Sequence, residues 1–348
     1  MDRLLDCLTN ESLHYSTDPR FRDAEVDTVF FGGGTPSLLS AIQFQRLIGY
    51  LFERFNIDNN AEVTVEVNPD DVTNDLIGAF RDSRVNRISL GAQSFDDTEL
   101  AILNRRHNSE TTRNAVNIIK NEGLSNYSLD LIYGVPGHTM DSWSRTLESA
   151  LELNPKHFSA YCLTVEKGTP LHRSIQLGEI VLPPDEVMRE MYIEAVERLS
   201  HAGYAQYELS NFAIAGFESR HNLAYWTGKP YLGLGPSSSS YFHLERWKNV
   251  ADINGYIESV NKTGSGVSEM EVLDDDMQRS EYVMLSLRMP RGLNLSDYMQ
   301  RFGRDLLAER SREIESYSAE GLLIRDDDCI RLTPSGMFVS DDIISVLV

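Results

Sequence analysis

The chain has 348 residues, 41% of them hydrophobic and 24% charged, which excludes wholesale disorder and collagen-like structure. Lys and Arg number 32 against 53 Asp and Glu, a net charge of −21 that repels phosphate backbones and argues against nucleic acid as a partner. The three cysteines, Cys7, Cys162 and Cys329, are too few for a disulfide scaffold and stand at no metal-ligand spacing.

In chain order, residues 1–16 read as a helix already under way, with Leu4, Leu5 and Leu8 at helical spacing. No basic region followed by an apolar run marks a signal peptide, and no apolar stretch reaches membrane-spanning length. Strand patterns then occur at 27–31, 62–67, 87–90, 128–132 and 157–165. Helical patterns lie between them at 41–54, 74–81, 97–103, 109–122 and 140–153. This alternation predicts βαβ units and a parallel sheet. A helix at 184–201 and a strand at 205–209 follow. Residues 211–270, rich in Gly, Pro, Ser and aromatics, read as loops with short strands. Residues 276–348 read as mostly helical, with a strand pair around 322–324 and 329–332 that suggests a winged-helix-like module.

In parallel α/β architectures ligands bind at the carboxyl ends of strands, so the residues there carry the functional reading. Gly32, Gly33, Gly34 and Thr35 follow the first strand pattern. The glycines let backbone approach a ligand and offer N–H groups to an anion. Neither a P-loop nor a dinucleotide fingerprint is present, since no Gly-Lys-Ser/Thr follows and Ser37 stands at the third glycine position. Glu66, Gln93, Asp130 and Thr164 recur near the mouths of successive strands. Such a ring suits a ligand with amine, carboxylate and ribose groups. Farther on, His221, Asn222 and Tyr225 fall in a polar and aromatic stretch, with His221 readable as a haem ligand, a proton donor or a packing residue.

The segments VDTVFFGGGTPSLLS, VEVNPDDV, NRISLGAQSFDD, LDLIYGVPG, YELSNFA, RHNLAYW and YLGLGP together resemble one family. It is that of radical S-adenosylmethionine (SAM) proteins, in the subgroup of oxygen-independent coproporphyrinogen III oxidase, where HemW-type haem chaperones fit best. The resemblance extends to LTPSGMFVSDDII near the end of the chain. It implies a partial parallel (β/α) barrel, here lacking its first strand, with a C-terminal mainly helical module. The implied domains are 1–210 for the barrel, 211–275 for a connecting, pocket-covering segment and 276–348 for the helical module. By similarity Gly33, Gly34 and Thr35 contact the methionine part of SAM. Glu66, Gln93, Arg105 and Asp130 hold its polar groups, Asp130 through nucleoside hydroxyls, and Thr164 adds a further contact. His221, Asn222, Tyr225 and Ser239 are the implied haem or substrate pocket, Ser239 replacing a family histidine or apolar residue.

The resemblance also implies a [4Fe–4S] cluster held by CxxxCxxC after an opening strand. This chain has no such motif, so it is expected to begin late, to provide no metal ligands and not to cleave SAM reductively. An open sheet edge is expected at 27–31. The expected function is a cytoplasmic haem chaperone that binds SAM and haem and delivers haem to an acceptor the sequence does not identify. The alternatives are a coproporphyrinogen oxidase of porphyrin biosynthesis and a cluster-free SAM- or haem-binding module.

Overall fold

A computed structural model describes all 348 residues. Thirteen strands run in chain order as β1 (Glu25–Phe31), β2 (Asn56–Val67), β3 (Arg87–Gln93), β4 (Tyr127–Tyr133), β5 (His157–Cys162), β6 (Ala205–Glu208) and β7 (Asn211–Ala213), then β8 (Ser239–Phe242), β9 (Glu245–Asn249), β10 (Val267–Val272), β11 (Leu293–Asn294), β12 (Leu323–Arg325) and β13 (Cys329–Leu332). The first seven fall in one sheet in the order β1-β2-β3-β4-β5-β7-β6. β1 is therefore an edge strand, as the sequence reading expects.

The chain divides into two compact units. The first comprises Met1–Glu66, Thr73–Arg87 and Ser219–Tyr282. Here β1 and β2 pair in parallel, and β10, β9 and β8 form a separate antiparallel sheet. The helix Ala41–Arg54 starts at a capping box, in which Ser40 and Gln43 satisfy each other's backbone N–H groups. Phe44 and Ile48 of this helix are buried, Phe44 against Phe80 with ring centroids 4.5 Å apart. Tyr15, Phe21 and Trp247 form a second apolar cluster.

The second unit comprises Val67–Val72, Ile88–Glu218 and Val283–Val348. β3, β4 and β5 are parallel, with one register shift between Leu90 and Gln93 in β3, and up to Leu90 side chains alternate between two faces. One face carries Ile88, Leu90, Leu129, Leu131 and Phe158, all fully buried. Val116, Ile119, Trp143 and Leu147 on the connecting helices are equally buried, which gives these α/β repeats their core. The other face is polar: Ser89, Ser128, Asp130, His157 and Ser159.

Several expected elements change at their ends. The strand expected over 157–165 stops at Cys162, and β2 begins six residues before its expected start at 62. The sheet is not parallel throughout. β7 pairs antiparallel with both β5 and β6, because only Leu209 and Ser210 separate β6 from β7 and so short a link reverses direction. The 211–270 stretch contains helices Arg220–Trp226 and Ile253–Thr263 as well as strands. The expected C-terminal strand pair, β12 and β13, gains a third strand, β11.

Candidate functional site

In the first unit β1 ends at Phe31 and the chain enters the glycine turn. A Cβ on Gly32 would lie 2.3 Å from Phe30 Cε1 and 2.7 Å from Glu66 Cδ, so glycine is what admits the Glu66 carboxylate. Gly33 has a φ of +73°, and its N–H donates to Glu66 Oε2 at 3.2 Å. A carboxylate is thus held at the strand mouth beside a left-handed turn. Gly34 is exposed, with nothing within 4 Å of where its Cβ would stand, and Thr35 precedes the short helix Pro36–Leu38.

The same unit carries His221, Asn222 and Tyr225 on the helix Arg220–Trp226. Buried Glu62 accepts the N–H groups of Arg220 and His221, both at 3.0 Å, and so caps that helix from β2. His221 is fixed on three sides. Its Nδ1 meets Thr28 Oγ1 at 2.9 Å, its Nε2 meets the Tyr225 hydroxyl at 3.0 Å, and its ring stacks on Phe30 with centroids 4.9 Å apart. Burial holds its pKa below the ordinary value, so the ring is neutral at pH 7. With both nitrogens engaged, iron reaches Nε2 only after the Tyr225 hydroxyl moves. Burial pushes that hydroxyl up to about 12. Asn222 is half-buried, and its backbone N–H is bonded to Ser219 Oγ. Tyr225 packs edge-on against Tyr231 with centroids 4.5 Å apart, and Tyr231 bridges to Tyr241 on β8. Ser239 lies exposed two residues earlier on that strand, with no hydrogen bond to His221. Sequence reasoning missed Glu62, Tyr231 and Tyr241, although the spacing of Tyr225 and Tyr231 in one aromatic stretch signals the latter pair.

In the second unit Gln93 closes β3 with a φ of +65°, uncommon for a residue other than glycine. Its Nε2 lies 2.7 Å from where a Cβ on Gly91 would stand, so that glycine makes room for the amide. Asp130 sits half-buried in β4 and accepts from Ser89 Oγ at 2.7 Å and Ser128 Oγ at 3.1 Å. Arg106 pairs with Asp71 at 3.1 Å and Asp70 at 3.7 Å, and His107 lies 3.8 Å from Asp70. Arg105, on the same loop, is exposed. Thr164 is exposed just past β5. Ser128 and His157 were missed, although polar residues at alternate strand positions are a period-two signal.

The three cysteines lie apart. Cys7 Sγ is buried 3.9 Å from Asn261 Oδ1, Cys162 Sγ is 4.0 Å from Met188 Sδ, and Cys329 Sγ is 3.0 Å from the Arg291 carbonyl oxygen. Burial pushes all three thiols up, which disfavours the thiolate a metal needs. No three His, Cys, Asp or Glu side chains gather in a way that could hold a metal ion. The residues of this chain therefore do not fit an iron–sulfur cluster.

Two family models match the chain: the radical SAM superfamily over residues 19–150 and the HemN C-terminal domain over residues 273–339. The fold agrees, with a TM-score of 0.83 to coproporphyrinogen III oxidase (HemN) from Escherichia coli over 99% of this chain and 82% of that one, at 24% identity. Fold and family models together define a radical SAM protein, an α/β partial barrel with a helical C-terminal part, as the sequence resemblance implied. Heme chaperone HemW from Mycobacterium tuberculosis is 37% identical over 92% of this chain and 80% of its own length. That from Bacillus subtilis is 30% identical over 99% of this chain and 90% of its own. The chain belongs to the HemW heme chaperone family.

Proposed function

We propose that this protein binds haem and an adenosyl ligand of the SAM type and passes haem to an acceptor protein. The observation that carries the reading is the wall of Phe30, His221, Tyr225 and Tyr231 in a chain of this family. Flat aromatic surfaces suit a porphyrin face. Asn222 and Ser239 add polar groups for the propionates. His221 serves first as part of this wall, since both its nitrogens are engaged.

The residues proposed to contact the adenosyl ligand are Gly33, Gly34, Thr35 and Glu66 in the first unit and, separately, Gln93, Arg105, Asp130 and Thr164 in the second. Glu66 and the amides of Gly33 and Gly34, with Thr35, take the amino and carboxylate ends of the methionine part. Gln93 and Arg105 hold further polar groups, Asp130 takes nucleoside hydroxyls, and Thr164 contributes one more contact. The residue types support this, since a carboxylate at Asp130 suits hydroxyl donors and a guanidinium at Arg105 suits a carboxylate. In radical SAM proteins a [4Fe–4S] cluster makes SAM reactive; the described residues supply no ligands for it, and no reaction step is assigned. The proposed division is 1–210 for the partial barrel, 211–275 for a connecting, pocket-covering segment that carries most of the haem wall, and 276–348 for the helical module. No helix is long and apolar enough to cross a membrane. The reading assigns the chain to the cytoplasm, where three unpaired thiols stay reduced.

The test is incubation with hemin and, separately, anaerobic incubation with coproporphyrinogen III, SAM and a reductant. Hemin is expected to co-elute with the protein in gel filtration at one equivalent, and coproporphyrinogen is expected to remain intact. Turnover of coproporphyrinogen without retention of hemin overturns the reading in favour of an oxidase.

A further inference from the structure

The polar face of the second unit contains a line of side chains that the proposed adenosyl site does not by itself require. Ser128 and His157 stand opposite each other in the β4–β5 register. His157 Nδ1 lies 2.8 Å from Ser128 Oγ, and its Nε2 lies 2.7 Å from the Tyr207 hydroxyl. Ser128 and His157 are 1% and 2% exposed, too deep to touch a ligand themselves.

The serine–aspartate bond sets the direction of the line. Ser128 donates its hydroxyl proton to Asp130 Oδ1, so its oxygen must accept from His157. His157 then carries its proton on Nδ1, and Nε2 accepts from the Tyr207 hydroxyl. Ser89 donates to the other carboxylate oxygen, Oδ2. Ser128 and Ser89 thus donate to opposite oxygens of Asp130, which orients the plane of the carboxylate. A serine hydroxyl alone is a free rotor; His157 removes that freedom.

We propose that His157 is a positioning residue for nucleoside recognition, acting through Ser128 to orient the Asp130 carboxylate toward the two ribose hydroxyls. The inference rests on the reading of Asp130 as the nucleoside contact. Asparagine can place a side-chain N–H near the position of His157 Nδ1, whereas alanine cannot, and the two substitutions separate the donor from the bulk.

The test compares binding of 5′-methylthioadenosine with that of its 2′,3′-dideoxy analogue by calorimetry. The pair differs only in the ribose hydroxyls. Wild-type protein is expected to prefer the hydroxylated ligand by about tenfold or more, the worth of a hydrogen bond to a charged group. His157→Ala and Ser128→Ala are expected to shrink that preference to roughly threefold or less, and His157→Asn to retain most of it. Ser128→Ala is the milder change and keeps the question answerable if His157→Ala does not fold. A wild-type preference in His157→Ala or Ser128→Ala overturns the proposal, as does an equal loss in His157→Asn. If Asp130→Asn leaves the preference intact, or wild type shows none, the underlying reading of Asp130 fails and the proposal falls with it.

Discussion

Glu208 is 1% exposed, and the Asn211 amide donates to its Oε1. Burial pushes its carboxyl up to about 7 from the ordinary 4.5. Between those values the folded chain holds a proton that the unfolded chain releases. Stability is therefore full below about pH 4.5, falls as pH rises toward 7, and levels off above it. At about 1.4 kcal/mol per pH unit the loss approaches ~3 kcal/mol. Glu208→Gln carries no such proton. Urea unfolding at pH 5 and pH 8 is expected to show wild type losing about 3 kcal/mol more than the variant between the two conditions. Equal losses would contradict the assignment. At His221 the same scale decides a different question: its two hydrogen bonds and its stack on Phe30 make it a fixed surface before any ligand arrives.

The helix Asp2–Thr17 is tied to the first unit by one buried carboxylate. Glu11 accepts from the Gly235 N–H at 2.8 Å, Asn249 Nδ2 at 2.8 Å, the Tyr256 hydroxyl at 2.7 Å and the Gly266 N–H at 3.2 Å. Removing the acceptor strands the Gly235 and Gly266 N–H groups and the Tyr256 hydroxyl, while Asn249 Nδ2 keeps the Gly235 carbonyl and Ser238 Oγ. Glu11→Ala is expected to cost about 3–5 kcal/mol in urea unfolding, and Glu11→Gln less, because an amide oxygen still accepts. A loss under about 1 kcal/mol in Glu11→Ala would show that packing and the Arg54 bonds to Thr9 and Ser12 hold the helix without Glu11. In the C-terminal part, a Cβ on Gly336 would lie 1.9 Å from the Leu322 carbonyl oxygen. Gly336→Ala is therefore expected to loosen the start of the helix Pro334–Phe338 against β12, read as faster amide exchange in 321–338. Unchanged exchange there would contradict the close contact.

The elements that sequence resolves best are those with strong local signals. The helix Ala41–Arg54 has its capping box and a regular apolar stripe, and β4 alternates apolar and polar residues from Tyr127 to Leu131. The β6–β7 reversal escapes because two strands of four and three residues carry too little period to read. The helix Arg220–Trp226 escapes because part of its N-terminal cap is Glu62, 158 residues away from Arg220 in sequence. The residues proposed for the adenosyl ligand were legible one at a time as polar groups at strand mouths, except Arg105, which only the family resemblance supplies. The line from Tyr207 to Asp130 was not, since it exists only through strand register.

At the scale of the whole molecule, the net charge of −21 bears on how an anionic cargo arrives. Hemin carries two propionates and meets a field of the same sign. Raising ionic strength from about 0.05 M to about 0.5 M is expected to speed hemin association in stopped-flow absorbance, because salt screens the repulsion. Slowing instead would point to a local basic entry that outweighs the overall charge. The HemW family assignment and the aromatic wall meet in one claim, that haem sits against Tyr225 and Tyr231. The direct measurement is an absorbance titration of hemin into wild-type, Tyr225→Ala and Tyr231→Ala proteins. Wild type is expected to saturate at one equivalent with a shifted Soret band. Each variant is expected to bind roughly tenfold more weakly for the loss of one aromatic contact. Identical titration curves for all three proteins would contradict the placement of haem at this wall, and a wild-type curve that never saturates would contradict haem binding altogether.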